Sequence, residues 1–118
     1  MKFINNPFDI VIRAALELYP DLHKKEILIQ FDPDLRGKEY GECGYVCFPD
    51  EGETEYLISI SINIPFDHMP EILAHELAHI VVGVGPEGHG KEWENTFDAI
   101  FSKCQAIIES DAREYNLC

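Results

Sequence analysis

Phe8, Val11, Ile12, Ala15, Leu16 and Tyr19 recur at the three- and four-residue spacing of a helical face, and Pro20 stops the run. An amphipathic helix over roughly 8–19 is expected. Ile27-Leu28-Ile29-Gln30-Phe31 is short, apolar and closed by Asp32-Pro33-Asp34, which reads as a strand. Residues 32–42 are polar and carry Gly37 and Gly41, hence a loop. Gly44–Phe48 reads as a second strand. Pro49-Asp50-Glu51-Gly52 is turn chemistry. From Glu55 to Ile62, Tyr56, Ile58, Ile60 and Ile62 alternate with Leu57, Ser59 and Ser61, the period of a third strand, and strands two and three form a hairpin. Pro70-Glu71 opens a helix, since proline suits its first turn and a carboxylate complements its dipole. That helix runs to about Val82, where Gly83, Gly85 and Pro86 end it. A last helix starts near Gly90 and carries Trp93, Phe97, Ile100, Phe101, Cys104, Ile107 and Ile108 as its apolar stripe, to about Tyr115. The order is α-β-β-β-α-α. The expected class is α+β, a small antiparallel or mixed sheet packed on the helix at 71–82, in one domain spanning 1–118.

Length and composition narrow the function without naming it. One domain of 118 residues, 46% hydrophobic and 26% charged, buries a real core and matches no fibrous or disordered class. Nine basic side chains against 22 acidic ones leave a net charge of −13. Such a field repels phosphate, and Lys24-Lys25 is the only adjacent basic pair, so direct nucleic-acid binding is not expected. No apolar run reaches membrane-spanning length, and Met1–Pro7 lacks the apolar core of a secretory signal. Four cysteines, at 43, 47, 104 and 118, are too few for a disulfide scaffold. The expected compartment is therefore a reducing cytoplasm.

Chemistry enters with His75-Glu76-Leu77-Ala78-His79. Apart from His75, Glu76 and His79, every residue from 72 to 82 is apolar. A helix apolar all round is buried, and three polar side chains inside it are costly unless something satisfies them. One metal ion satisfies all three. Positions i and i+4 lie on one helical face about 6 Å apart, so both imidazoles reach one ion. Glu76 is one residue on, about 100° around the axis, beside the ion and not on it. There it can serve as a general base toward water. Chance arrangement of this composition gives about 0.02 such patterns per chain.

A catalytic zinc site keeps three protein ligands and one open position. His89, ten residues after His79 across a glycine-rich reversal, is the expected third ligand, with flanking Gly88 and Gly90 permitting close backbone approach. Glu92 is the alternative, because a glutamate on the following helix also serves in sites of this kind. The spacing excludes the metzincin pattern, whose third histidine would fall at Gly85.

His75-Glu76-Leu77-Ala78-His79 followed by His89-Gly90-Lys91-Glu92-Trp93 resembles the SprT-like zinc metalloproteases, the group that includes Spartan. Their signature is His-Glu-x-x-His and then His-Gly-x-x-aromatic. The resemblance implies one Zn²⁺ held by His75, His79 and His89, Glu76 as catalytic base, and a minimal zincin-like fold. The implied activity is hydrolysis of protein or peptide substrates by a Glu-activated zinc-bound water. The four cysteines lack the paired Cys-x-x-Cys spacing of that family's zinc ribbon, and the acidic balance sets the chain apart from its DNA-linked members. A stand-alone peptidase of a bacterium, or of a phage acting in its host's cytoplasm, fits these features.

Supporting residues are less determined. An extended substrate is expected to lie antiparallel to the strand at 55–62. Tyr45, Tyr56 and His68 are candidates for stabilising an oxyanion, and Asp67 and Asp98 for orienting an imidazole. Cys43 and Cys47 share a strand face and, with Cys104 and Cys118, are a weak candidate for a second metal site. Trp93 is expected to pack under the metal-site loop. Two rival readings remain: a non-catalytic, zinc-stabilised protein-binding module, and a metal-free core with structural histidines.

Overall fold

The computed structural model describes residues 6–83 and 89–115, with side chains to 111. The reversal expected at 84–88, the first five residues and Cys118 lie outside that range. Helix α1 spans Pro7–Leu18. Asn6 caps it, its side-chain oxygen accepting from the Phe8 N–H at 3.0 Å, and Pro7 sits where a missing N–H costs nothing. Strand β1 is Glu26–Asp32, β2 is Gly44–Cys47 and β3 is Glu55–Ser61. Helix α2 spans Met69–Val82 and α3 spans Lys91–Tyr115. Short 3₁₀ turns at Pro20–Lys24, Lys38–Tyr40 and Phe66–His68 fill the connections. The helices and strands read from periodicity coincide with these elements to within a residue or two.

The architecture is α+β: three helices with a three-stranded mixed sheet of order β1-β3-β2. β3 pairs with β1 in parallel along its whole length and with β2 antiparallel, Gly44 to Cys47 against Ile60 to Leu57. The hairpin joining β2 and β3 is therefore present. The sheet order corrects one expectation. An incoming substrate cannot pair with the 55–62 strand, because β1 and β2 already occupy both its edges; among the described residues the unpaired edges belong to β1 and β2.

Central placement also explains a burial that alternation does not predict. Ile58 and Ile60 are fully buried under the helices, and Ser59 and Ser61, on the opposite face, are fully buried too. Both hydroxyls are satisfied, as buried polar groups must be. Gln30 Nε2 donates to Ser59 Oγ at 2.9 Å, while Ser61 Oγ donates to the Leu35 carbonyl at 2.8 Å and accepts from the Asn63 N–H at 2.9 Å. The loop after β1 thus folds over one end of the sheet.

The core lies between that sheet and the helices. Ala14 and Ala15 of α1, Leu73, Ala74 and Ala78 of α2, and Ile100 of α3 meet Ile58 and Ile60 there, all essentially inaccessible. β2 sits very close to α2. A Cβ on Gly44 would fall 2.6 Å from Ile72 Cγ2 and 2.8 Å from the Ser59 carbonyl oxygen, so only glycine fits at that crossing. No helix among the described residues is long and apolar enough to cross a membrane.

Candidate metal centre

Helix α2 places the first two imidazoles. Its buried positions (Leu73, Ala74, Leu77, Ala78 and Ile80) pack into the core, which fixes the rotation of the helix and turns His75 and His79 together toward α3. Gly83 ends the helix with φ 87, a left-handed value that glycine adopts without strain, and its N–H returns to the His79 carbonyl at 2.9 Å. His89 stands just before α3. Its Nε2 lies 3.1 Å from His75 Nε2 and 3.0 Å from His79 Nε2, and the α2 pair is separated by 3.3 Å.

Three ring nitrogens facing one another at those distances are not a hydrogen-bond network. Each N–H lies in its own ring plane and serves one acceptor, so three convergent Nε2 atoms cannot all be paired among themselves. They can all point lone pairs at one cation. Zn–N bonds of about 2.0–2.1 Å in tetrahedral geometry separate ligand nitrogens by about 3.3–3.4 Å, and the triad is close to that spacing. His75, His79 and His89 could therefore hold a metal ion. Glu92, in the first turn of α3, stays exposed and outside the cluster, so of the two third-ligand candidates the fold brings only His89.

The rings are electronically ready for a cation. Burial, with the neighbouring His79 and His89 adding like charge, lowers the His75 pKa from its usual value to about 4. Burial, followed by His89, also lowers that of His79. Both are thus neutral near pH 7 with lone pairs available. Glu76 sits beside them. Its carboxylate oxygen is 3.7 Å from His75 Nε2, and the residue is only 5% exposed. That burial raises its pKa to about 7, a poise suited to taking and returning a proton.

Trp93 organises the remainder. Its Nε1–H donates to the His75 carbonyl at 3.2 Å, and its ring lies 4.6–5.4 Å from the rings of His89, His75 and His79. Phe97 stacks on Trp93 at 5.1 Å. The first turns of α3 thereby lock the face of α2 that carries the histidines. The sequence signal for this was the four-residue spacing Trp93-Phe97-Phe101, which marks one helical face without revealing what it covers.

The candidate supporting residues do not join the cluster. Gly44 faces α2 and Val46 packs on the core, so the alternation of a strand turns Tyr45 and Cys47 to the opposite face of the sheet, away from the triad. The Tyr56 hydroxyl accepts from Lys25 Nζ at 3.1 Å. His68 precedes α2, about 10 Å along the axis from His75 at 1.5 Å per residue. Among the described residues, neither Asp67 nor Asp98 hydrogen-bonds an imidazole; Asp98 lines an open trough with Glu71, Phe97 and Phe101. Cys43 and Cys47 are free thiols, Cys104 is a core residue, and no second metal-ligating group of three forms among the described residues.

Scans of protein-family models, curated proteins and solved structures each found no match to this chain.

Proposed function

We propose that the protein is a zinc-dependent metallopeptidase of zincin-like architecture, as the SprT-like resemblance of its two motifs implies. The observation that carries the reading is the convergence of three Nε2 atoms within 3.0–3.3 Å, with the Glu76 carboxylate 3.7 Å from one of them. Three imidazoles at near-tetrahedral spacing are a donor set that suits zinc. When bound, the ion would supply a Lewis acid that polarises a carbonyl and acidifies water.

The chain's own residues do the rest. His75, His79 and His89 would hold the ion. Glu76, buried and poised near neutrality, takes the proton from the attacking water and returns it to the departing amine, so the peptide bond is exchanged for a carboxylate and an amine. The outer edge of β2, which no described residue pairs, offers a track for an extended substrate. Cys43 and Ser61 form a hydrogen-bonded pair, the Ser61 N–H donating to the Cys43 carbonyl at 2.8 Å. By antiparallel alternation Tyr45 and Cys47 also turn their backbone inward, and Gly44 and Val46 turn theirs outward. Those outward groups lie on the strand that crosses α2 at Ile72, one turn before Glu76.

The test is Glu76→Gln. The variant retains about one zinc per chain by elemental analysis and loses peptide hydrolysis by about 10²–10⁴-fold. His89→Ala loses the metal as well. Undiminished hydrolysis in Glu76→Gln would overturn the mechanism. A zinc-loaded wild type inactive on all peptides would favour the rival protein-binding module, for which the acidic surface suits a basic partner.

A further inference from the structure

Away from the metal centre, β1 is exposed in a way that edge strands ordinarily avoid. It borders the sheet, no described residue pairs with its outer edge, and five of its seven residues are exposed. Leu28 is 52% and Phe31 48% exposed. Beside this edge, between β1 and α1, lies an apolar groove of about 260 Å³ walled by Ile12, Leu16, Ile27 and Ile29 and floored by Leu77. The groove is smaller than the roughly 300–1,000 Å³ of small-molecule sites, and suits one or two apolar side chains.

One end of the groove carries a lysine. At the start of β1 stands Lys25, half-buried, which also borders a second hollow beyond Leu22. One of its three ammonium protons goes to the Tyr56 hydroxyl. Among the described residues no carboxylate lies within salt-bridge distance of Lys25, although the chain carries 22 acidic residues. Acidic residues stand at both ends of β1, Glu26 at one and Asp32 and Asp34 at the other, and none of them lines the groove.

We infer that this groove captures the C-terminal segment of another protein by strand addition. The peptide extends β1 antiparallel, sets alternate apolar side chains between β1 and α1, and places its terminal carboxylate on Lys25. The free backbone edge selects an extended chain over a helix, because only an extended chain can meet alternate N–H and C=O groups. Lys25 selects the direction, since it lines the groove and only an antiparallel peptide brings its terminal carboxylate to that end. A second copy of this chain fits poorly: antiparallel β1–β1 pairing about Ile29 sets Glu26 against Asp32, between molecules each carrying −13.

The inference does not depend on metal or hydrolysis, and its test uses neither. Full-length protein is titrated by fluorescence anisotropy with labelled free-acid hexapeptides that vary all twenty amino acids at the last and antepenultimate positions. Some members bind saturably below about 1 mM, and amidating their carboxyl weakens them at least about fivefold. Lys25→Gln weakens the free acids by a similar factor and leaves the amides unchanged. Ile29→Glu, at a position 37% exposed, abolishes both while its thermal melt stays cooperative. Hydrogen exchange shows alternate β1 amides newly protected by peptide. The inference is overturned if no member binds, if amides bind as well as acids, if protection falls elsewhere, or if the free protein already protects β1 as a dimer.

Discussion

Glu76 and His75 sit next to each other in the chain and are perturbed in opposite senses by the same burial. Glu76 is raised to about 7 from 4.5, so in the metal-free protein its contribution to stability is lost as pH rises from about 4.5 through 7. His75 is lowered to about 4 from 6.5, so its contribution is present above about 6.5 and lost as pH falls through 4. The two windows overlap and oppose one another, which flattens the pH profile of the metal-free wild type. Glu76→Gln removes one side. Its unfolding free energy by urea titration should therefore climb with pH between 4.5 and 7.5 relative to wild type, by up to about 3 kcal/mol for a shift of this size. Parallel profiles for the two proteins would show that Glu76 is not held neutral. A neighbouring effect concerns Trp93, whose indole N–H reaches the His75 carbonyl. Trp93→Phe keeps the ring packing and deletes that bond, at about 0.5–1.5 kcal/mol; competition with a chelating dye should report a several-fold loss of metal affinity.

Among the elements, β2 and α2 form the closest crossing. Gly44→Ala puts a methyl group within 2.6 Å of Ile72 and 2.8 Å of a β3 carbonyl, so the strand must move off the helix. A destabilisation of about 1–3 kcal/mol is expected in thermal unfolding. Peptide hydrolysis should suffer through KM, because the outward groups of Gly44 and Val46 shift with the strand. Equal KM values in variant and wild type would remove β2 from the substrate track. By contrast Leu73, fully buried one turn before Leu77, holds α2 against the sheet. Leu73→Ala opens a cavity and should cost about 2–5 kcal/mol by urea titration.

Across the whole molecule, charge and metal act on stability in ways no single contact reveals. A net −13 on 118 residues repels itself, and added salt screens that repulsion. The melting temperature should rise between low and physiological ionic strength. The triad joins α2 to the segment leading into α3, so an ion bound there stabilises the fold by mass action. Stripping it with a chelator should lower the melting temperature in wild type and leave His89→Ala unchanged. A chelator-insensitive wild type would mean that the imidazoles hold no ion.

Local pattern was enough for the helices, the strands and half of the centre. The four-residue step from His75 to His79 puts two imidazoles on one helical face whatever surrounds it, and the apolar residues between them announce burial; both follow from helix geometry. Three features were decided by the fold. The sequence offered both His89 and Glu92 as third ligand, and with Trp93 and Phe97 docked on α2 it is His89 that meets the α2 pair. β3 takes the middle of the sheet, which buries Ser59 and Ser61 on a face that alternation assigns to solvent and leaves the unpaired edges, among the described residues, on β1 and β2. Tyr45, Tyr56 and His68 were equivalent in the sequence and are separated by which face, which partner and which end of a helix each occupies. Spacing along a helix is a covalent and hydrogen-bonding property of nearby residues, whereas strand order and the meeting of distant loops are decided by which surfaces bury together.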